Sequence, residues 1–555
     1  MRLSLAFLAF VAIHALACGS DTKGSPDDGS GGGSGGGTGG TGGRAETTIP
    51  PGDPGNPDVT FTIDSTQRRP ISPYIYGTNG GDFTKEAKGL TLSRVGGNRL
   101  TAYNWETNYS NAGSDWQYSS DTYISSSTTA GLPMKEGVQA ATSAGASIIM
   151  TVPIAGWVSA DKNGSCPAQP TAAQIAERFL PILPMKGSAF AYPPDLTDDK
   201  VYADEFVAYL ESQFPTAQSD PARRIFYMLD NEPDLWASTH SEIHPDDVTY
   251  AEVLQKGIDF ATGIKATAPD ALVVGPVNYG WQGMVDLQGA PDANDRDFLE
   301  FYLAGMKAAE ATAGKRLLDV LDVHWYPEAQ GDSRITEGGT GAADVEARLQ
   351  APRSLWDKSY TESSWITKWS TQGPIYLIPR LQEKIAKAYP GTRLSISEYN
   401  YGAGDDISGG IAQADVLGVY GREGLFAATV WRLGDENDFL YAGFAMYRNY
   451  DGQGATFGDT SIAATTSAVD ATSVYASVFA QDPTNVVVVA INKTTSARTA
   501  GITLAHPVQL AVAEVYTLTA AAAAPAKGAA LAPVATNAFR YSMPPRSVST
   551  LVFHP

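Results

Sequence analysis

The sequence predicts an α/β fold, a (β/α)8 TIM barrel with a small C-terminal all-β sandwich domain. Eight short apolar segments, each followed by helical or loop sequence, recur between residues 74 and 433. After about residue 460 the helical patterns end, and only short strand-like segments separated by polar or Ala/Pro turns remain. A doubly wound open sheet is the structural alternative, but it would not need eight such units.

Each predicted barrel strand is a short apolar run. In chain order they are YIYG (74–77), TLSRVGG (91–97), SIIMTVPI (147–154), IFYMLDNEP (225–233), ALVVGP (271–276), LLDVLDVHWYP (317–327), RLSISEYN (393–400) and FAATVWRL (426–433). Between them, residues 297–311 and 375–391 repeat apolar side chains at the spacing of one helix face. These units assign residues 70–460 to the barrel. The alternating VTFTID that precedes it is expected to pair into the sandwich, which then comprises residues 58–69 and 461–555.

The first eighteen residues predict an export signal, with Arg2 before the apolar stretch LSLAFLAFVAI. The following ALAC resembles a bacterial lipoprotein processing site with Cys18 as the lipidated residue, and ordinary cleavage and release is the alternative. Residues 19–57 contain GGGSGGGTGGTGG and PPGDPGNPD, which predict a linker. The expected location is therefore extracellular or at the outer cell surface, with membrane contact only through the lipid anchor.

The composition narrows the ligands. Sixty acidic against 39 basic residues leave a net charge of −21, which disfavours nucleic acid and anionic membrane surfaces. Two cysteines exclude a disulfide framework, and six histidines without an HxxxH or HExxH pattern give no catalytic transition-metal site. We expect no required cofactor. The acid-rich stretches DANDRD (292–297) and GDENDF (434–439) favour solvated turns, with structural calcium as the alternative.

Candidate catalytic residues lie where barrel strands end, because a TIM barrel builds its catalytic face there. Glu232 ends the fourth strand and Glu398 the seventh. Either glutamate alone would suit a salt bridge or a helix start, but two on one face point to paired chemistry. The other candidates at these ends, predicted to bind substrate, are Asn231, Arg94, Trp105, His324, Trp325, Tyr326 and Trp431.

All ten tryptophans fall at or after a barrel strand, which predicts an aromatic-lined cleft, although roughly half of them are expected to be packing residues. Paired carboxylates beside aromatic rings indicate hydrolysis of a glycosidic bond. Asn231 is placed to hold the sugar 2-hydroxyl, and His324 to orient a carboxylate. Arg94 and Tyr326 are placed to keep Glu398 ionised. Glu232 is therefore the predicted acid/base and Glu398 the predicted nucleophile.

The motifs YIYGTN, RVGGNRLTAYNWETN, LDNEPDLW, DVHWYPE and SEYNYG resemble glycoside hydrolase family 44, a group of retaining endo-β-1,4-glucanases and xyloglucanases. The resemblance covers residues 58–555. It implies that the family's acid/base falls on Glu232 and its nucleophile on Glu398. It also implies a retaining mechanism, for which the two carboxyl groups lie about 5–5.5 Å apart.

The predicted function is cleavage of β-1,4-glucan chains, cellulose-type or xyloglucan, by double displacement. One alternative is a xylanase or mannanase with the same machinery. Another is a surface protein that binds polysaccharide without cleaving it, which the two glutamates argue against. The sandwich carries no tryptophan, so packing against the barrel is favoured over a carbohydrate-binding role.

Overall fold

The computed structural model describes residues 47–555. The predicted export signal with Cys18, and most of the predicted linker, lie outside the described residues. Among the helices of residues 47–555, none has the length and apolar character that crossing a membrane requires.

The strands are short, as is usual for a barrel with an attached sheet. They are β1 (Val59–Pro70), β2 (Tyr74–Asn79), β3 (Leu92–Val95), β4 (Ser110–Asn111), β5 (Ser119–Asp121), β6 (Ser147–Val152), β7 (Trp157–Ser159), β8 (Gly164–Ser165), β9 (Phe179–Leu183), β10 (Val201–Tyr202), β11 (Ile225–Leu229), β12 (Val273–Asn278), β13 (Val320–Trp325), β14 (Arg393–Tyr399), β15 (Ala427–Val430), β16 (Thr460–Thr466), β17 (Thr472–Val478), β18 (Val486–Asn492), β19 (Arg498–Ala505), β20 (Val512–Thr519), β21 (Ala522–Lys527), β22 (Ala538–Met543) and β23 (Ser547–His554).

The α-helices all precede β16. They are α1 (Asn98–Thr101), α2 (Leu132–Ser143), α3 (Ala172–Arg178), α4 (Ala203–Gln213), α5 (Trp236–Thr239), α6 (Tyr250–Thr267), α7 (Trp281–Asp286), α8 (Phe298–Ala313), α9 (Ala342–Gln350), α10 (Leu377–Ala388), α11 (Ile407–Glu423) and α12 (Asp438–Arg448).

Eight strands close a parallel barrel in the order β2, β3, β6, β11, β12, β13, β14, β15, with β15 returning to β2. They are the eight strands predicted from the sequence, and the predicted fold class is confirmed. The strands are almost continuously apolar because both of their faces are covered. Inward side chains such as Phe226 and Met228 fill the interior, whereas the outward Tyr227 and Leu229 pack against the helices.

The C-terminal domain is one nine-stranded sheet in the order β21, β20, β23, β18, β17, β16, β1, β19, β22. Its neighbours are antiparallel except β1 and β19, so VTFTID joins this sheet as predicted. The ends of the sheet curl toward each other, since the Tyr541 hydroxyl of β22 contacts the hydroxyls of Thr517 in β20 and Ser549 in β23. The enclosed space is filled by apolar side chains, which include Phe61, Ile502 and Phe553.

A buried ion pair joins the sheet to the barrel. Nζ of Lys493, at the end of β18, lies 2.7 Å from Oδ2 of Asp415 in α11. The Tyr475 hydroxyl of β17 donates to Oδ1 of the same aspartate at 2.6 Å. Gly418 of α11 lies under the Tyr475 ring, where a Cβ atom would come within 2.2 Å of it. The two domains therefore share a packed interface with its own charge cluster.

The end of the predicted linker is attached to the sheet. Ile49 forms a bridge with His506, and the Gly52 amide donates to the Thr536 carbonyl at 2.6 Å. The linker prediction therefore extends too far toward the barrel. The sequence did not predict these contacts. The segment is rich in proline and glycine and forms an isolated bridge, so it lacks the alternating side chains by which a strand is identified.

Candidate active site

A bulge brings Glu398 level with His324. Along β13 and β14, Val323 pairs with Ile396 and His324 pairs with Glu398, so Ser397 is an extra residue on β14. The Ser397 hydroxyl turns inward and donates to Asp322 at 2.6 Å. An extra residue in one strand re-aims the side chains that follow it. Here it directs Glu398 to the open end of the barrel.

The end of β11 is held in an unusual backbone conformation. Asp230 and Glu232 have φ of 64° and 45°, a region that costs energy for residues other than glycine. The Glu232 amide donates to the Val277 carbonyl at 3.0 Å, which ties this turn to β12.

The buried Asp230 carboxylate compensates for the strained turn by accepting four hydrogen bonds. Its donors are the Thr101 hydroxyl at 2.6 Å and the amides of Asn231 at 2.8 Å, Ile154 at 2.5 Å and Ala155 at 3.0 Å. Three barrel segments thus fix the residue that precedes Asn231 and Glu232.

Arg94 connects the two catalytic candidates' surroundings. Its guanidinium donates to Oε1 of Glu398 at 2.6 Å and to Oδ1 of Asn231 at 2.7 Å. It also donates to Oδ1 of Asn79 at 2.9 Å, and its side chain is fully buried. A charged group is stable at such a site only when it is paired and hydrogen-bonded. The predicted contact of Arg94 with Glu398 is therefore present, whereas its fully buried side chain lies beneath the carboxylate and not at a surface open to substrate.

Glu398 is arranged to stay ionised. Burial alone would raise its pKa, but the positive charge of Arg94, with hydrogen bonds from Tyr326 and Arg94, holds the pKa below its ordinary value. The Tyr326 hydroxyl donates to Oε2 at 2.7 Å. Burial and the adjacent carboxylate raise the pKa of Tyr326 well above its usual range, so it remains a donor.

Glu232 is arranged to keep its proton. Burial, and then the negative charge of Glu398, raise its pKa well above the ordinary glutamate value. Its hydrogen-bond partner is His324, whose Nδ1 lies 2.7 Å from Oε1. Two carboxyl groups whose surroundings push their pKa values apart are suited to be an acid and a nucleophile.

The two carboxyl groups are close. A carboxylate oxygen of Glu232, one of Glu398 and a ring nitrogen of His324 all lie within 4.8 Å of one another. Such a group can also hold a metal ion, but a metal at Glu398 would compete with the guanidinium already bonded to it. In the first acid-rich stretch, residues 292–297, Asp292 accepts the Tyr250 and Ala251 amides, and Asp297 accepts the Glu300 amide at the start of α8.

Two predicted substrate contacts are not supported by the structure. Trp105 is 2% exposed and stacks on Phe206 and Tyr209 of α4. Trp325 is 1% exposed and belongs to the apolar core. Both follow or end a barrel strand, but their side chains turn outward toward the helices. His324 is fully buried as well and does not face substrate, but it contacts a carboxyl group, as expected from its predicted role in orienting one.

The remaining tryptophans divide by exposure. Trp431 is half-buried and covers Gly97, where a Cβ atom would lie 2.8 Å from its ring. Trp116 and Trp369 are 49% and 68% exposed and lie in segments that follow β3 and β13 at the carboxyl end of the barrel. Exposed rings at this end are the ones available to a sugar.

Sequence reasoning missed several polar residues under the site. Asn79 holds Arg94, Asp322 accepts the serines of β14, and Asp234 accepts the Tyr279 amide at 3.1 Å. Burial raises the pKa of Asp234 to about 7. The only available signal was a polar residue inside an otherwise apolar strand or turn, as in YIYGTN and LLDVLDVHWYP.

Known proteins match this chain over most of its described length. Residues 109–329 match the model of glycoside hydrolase family 44. A solved structure of a Paenibacillus polymyxa xyloglucanase from that family, with xyloglucan, superposes with a TM-score of 0.85 at 39% identity. The match covers 90% of this chain and 99% of that one.

Two curated relatives are each 42% identical. Endoglucanase A of Paenibacillus lautus matches over 454 residues, which are 79% of this chain and 64% of the relative. Beta-mannanase/endoglucanase A of Caldicellulosiruptor saccharolyticus matches over 465 residues, which are 78% of this chain and 34% of the relative. The chain therefore spans about two thirds and one third of the lengths of these relatives.

Proposed function

The chain belongs to glycoside hydrolase family 44, and from that premise we propose that it is a retaining endo-glycoside hydrolase of β-1,4-glucan chains. The observation that carries the proposal is the pair Glu232 and Glu398, with carboxylate oxygens within 4.8 Å of each other. Retaining enzymes keep their carboxyl groups about 5–5.5 Å apart, whereas inverting enzymes need about 6.5–9.5 Å to admit water.

In the first step, Glu398 attacks the anomeric carbon and the bond to the leaving oxygen breaks. The proton of Glu232 passes to that oxygen, so the leaving chain departs as a neutral alcohol. Arg94 and Tyr326 support the step because they keep the nucleophile ionised. Asn231 is oriented by Arg94 and directly precedes Glu232, which suits contact with a sugar hydroxyl beside the acid.

In the second step, the Glu232 carboxylate takes a proton from water while the water oxygen attacks the same anomeric carbon. The bond to Glu398 breaks, and the sugar leaves with its original configuration. Glu232 is again protonated and Glu398 again ionised. Proton and charge therefore return to the starting state, and the proposed reaction requires no cofactor.

For the substrate we favour cellulose-type chains and xyloglucan. The structurally similar xyloglucanase and the relative named as an endoglucanase support this choice. The exposed rings of Trp116 and Trp369 suit the apolar faces of glucose units in an extended chain. Export and attachment at the outer cell surface through a lipidated Cys18 complete the proposal, because a polymer is reached outside the cell.

The test is release of reducing ends from xyloglucan, carboxymethylcellulose, xylan and mannan by the wild type and the variants Glu232→Gln and Glu398→Gln. We expect activity on the β-glucans and a loss of about 10⁴-fold or more in each folded variant. Azide is expected to restore turnover of an activated aryl glycoside in the acid/base variant. Binding of every polymer with no wild-type cleavage would support the non-catalytic alternative.

Mannan is the second candidate, because one relative is named a beta-mannanase and endoglucanase. This chain matches 34% of that protein's length, so the match does not assign one activity to the shared part. The same polymer panel decides between them, since mannan differs from glucan in the C2 hydroxyl that Asn231 is proposed to contact.

A further inference from the structure

His324 occupies an unusual position between the two carboxyl groups. Its Nδ1 lies 2.7 Å from Oε1 of Glu232 and 3.6 Å from Oε2 of Glu398. The other ring nitrogen, Nε2, is buried and has no hydrogen-bond partner among residues 47–555. The ring is fully buried, and burial lowers its pKa, so it is neutral and carries one proton.

The surroundings select the nitrogen that carries that proton. A proton on Nε2 would bury an N–H group without an acceptor, which costs about 1–3 kcal/mol. It would also turn the Nδ1 lone pair toward the ionised Glu398 at 3.6 Å. A proton on Nδ1 instead points to Oε1 of Glu232 and lies near the negative charge of Glu398.

We propose that His324 is a positioning residue that reserves one oxygen of Glu232 for proton transfer. Nδ1–H donates to Oε1, so the exchangeable proton of the acid resides on Oε2. The inference rests on the proposed function of Glu232 as acid/base and assigns to it a single working oxygen.

The same hydrogen bond serves both halves of the reaction. When Oε2 releases its proton to the leaving oxygen, the new carboxylate keeps the donor at Oε1, which stabilises the charge. When Oε2 later takes a proton from water, the donor is unchanged. His324 therefore never gains or loses a proton, and the proton moves only between Oε2, the leaving oxygen and water.

Several other ionisable groups surround Glu232 and His324. Arg94 of β3 is the nearby cation and is bonded to Glu398 of β14. From β13, Asp322 and Tyr326 approach, and burial raises the pKa of both. Asp234, two residues after Glu232, and Asp115 after β3 add negative charge on the Glu232 or His324 side. The charges of Glu398 and Asp115 oppose ionisation of Glu232, so the His324 donor acts against them.

The first test is the pH dependence of kcat/KM for xyloglucan oligosaccharide in the wild type, His324→Ala and His324→Asn. The asparagine amide nitrogen can take the place of Nδ1 as a donor. In His324→Ala, loss of the donor destabilises the Glu232 carboxylate, so the basic limb is expected to move up by about 1–2 pH units. We expect kcat to fall by about 100-fold. In His324→Asn the basic limb stays near its wild-type position.

The second test does not depend on activity. Nitrogen-15 NMR of the imidazole groups, with His324 identified by its absence in the His324→Asn spectrum, is expected to show a neutral ring protonated at Nδ1. If the wild type cleaved no polymer, this spectrum would still support or overturn the hydrogen-bond assignment. Failure of the proposed function is thereby separable from failure of this inference.

Two results would overturn the inference. One is a ring protonated at Nε2 in the NMR spectrum. The other is a basic limb that stays in place or moves down in folded His324→Ala, because a ring that accepted the Glu232 proton would favour the protonated acid and its removal would lower that pKa. A fall in kcat without movement of the limb would indicate a packing role alone.

Discussion

Two buried carboxylates in this molecule have the same kinds of partner but lie in sites that differ in their charge balance. Glu398 contacts the guanidinium of Arg94 at 2.6 Å and the hydroxyl of Tyr326 at 2.7 Å. Asp415, between the barrel and the sheet, contacts the ammonium of Lys493 at 2.7 Å and the hydroxyl of Tyr475 at 2.6 Å. Each carboxylate has one cation and one phenol.

The difference lies in the second acid. At the open end of the barrel, Glu232 lies near the Arg94 cation but is not bonded to it. Burial, and then the charge of Glu398, raise the pKa of Glu232, so it retains a proton. At the interface no second carboxyl group contacts the pair in the part of the chain that the structure describes. We infer that the unbalanced acid suits the first cluster to proton transfer. The balanced charges of Asp415 and Lys493, here called the interface pair, suit a structural role.

The largest effect is expected from removing the cation at the reactive end. Arg94→Met leaves Glu398 buried without its charge partner, so the carboxyl group becomes protonated near neutral pH and cannot attack. We expect kcat/KM to fall by about 10³-fold. Michaelis–Menten kinetics on xyloglucan, with circular dichroism to confirm folding, measure it.

Arg353→Met is the matched control, because Arg353 forms a partly buried pair with Asp357 and touches neither Glu232 nor Glu398. It is expected to retain activity. Full activity of folded Arg94→Met would contradict the idea that the guanidinium keeps the nucleophile ionised.

The second-largest effect is expected from breaking the interface pair. Asp415→Ala leaves the Lys493 ammonium buried and unpaired, which is expected to lower the free energy of unfolding by about 3–5 kcal/mol. The change is measured by urea denaturation. At a temperature where the variant stays folded, kcat/KM on xyloglucan is expected to remain within about twofold of wild type, since additive behaviour is usual for distant sites.

The double variant Asp415→Leu with Lys493→Met is the control, because it removes both charges together. It is expected to recover much of the lost stability. A stable Asp415→Ala protein would show that the interface does not depend on this pair, and a folded but inactive one would show that the interface is coupled to the catalytic end.

The sequence predicts the barrel and the two glutamates, but not the ion pair between the barrel and the sheet. All eight barrel strands, and the two glutamates at the ends of β11 and β14, follow from apolar runs and the acids that end them. The interface pair could not be predicted from the sequence. Asp415 lies in a helix whose other residues from Ile407 to Gly421 are also buried, and a single sequence does not show which distant lysine contacts it.

The tryptophan pattern predicted too many substrate contacts, also because a single sequence does not show where a side chain turns. A tryptophan after a strand can turn to the cleft or to the surrounding helices, and strand periodicity is lost where the strand ends. Trp105 and Trp325 turn to the helices, whereas Trp116 and Trp369 remain exposed. The bulge at Ser397 also has no sequence pattern. The sequence therefore predicted that His324 orients a carboxylate, but not that this carboxyl group is Glu232.

A third buried carboxyl group, Glu362, shows what happens when no cation is bonded to the acid. Glu362 is buried and accepts the Ser354 hydroxyl at 2.5 Å, but no cation is bonded to it among the described residues. Burial raises its pKa to about 7. Between the ordinary glutamate pKa and 7 the folded protein thus holds a proton that the unfolded chain has lost, and its stability falls as pH rises.

Glu362→Gln removes this dependence. The variant's stability relative to wild type is expected to rise by about 3 kcal/mol between pH 4 and pH 8. Urea denaturation at several pH values measures the difference, and Glu346→Gln, an exposed position, provides the control with no such trend. A difference that does not change with pH would mean that Glu362 ionises normally in the folded protein.

The smallest effect tests the exposed side of the comparison. Trp369 is 68% exposed in the segment that follows β13, whereas Phe479, 37% exposed, directly follows β17 in the sheet domain. If glucan chains lie along the barrel opening, Trp369→Ala loses one stacking surface and KM for long xyloglucan rises about 2- to 10-fold with kcat unchanged. Short oligosaccharides that do not reach the ring, and Phe479→Ala on either substrate, are expected to behave as wild type. An equal rise in KM for both variants would place polymer contacts on the sheet domain as well, and the interface pair would then join two binding surfaces.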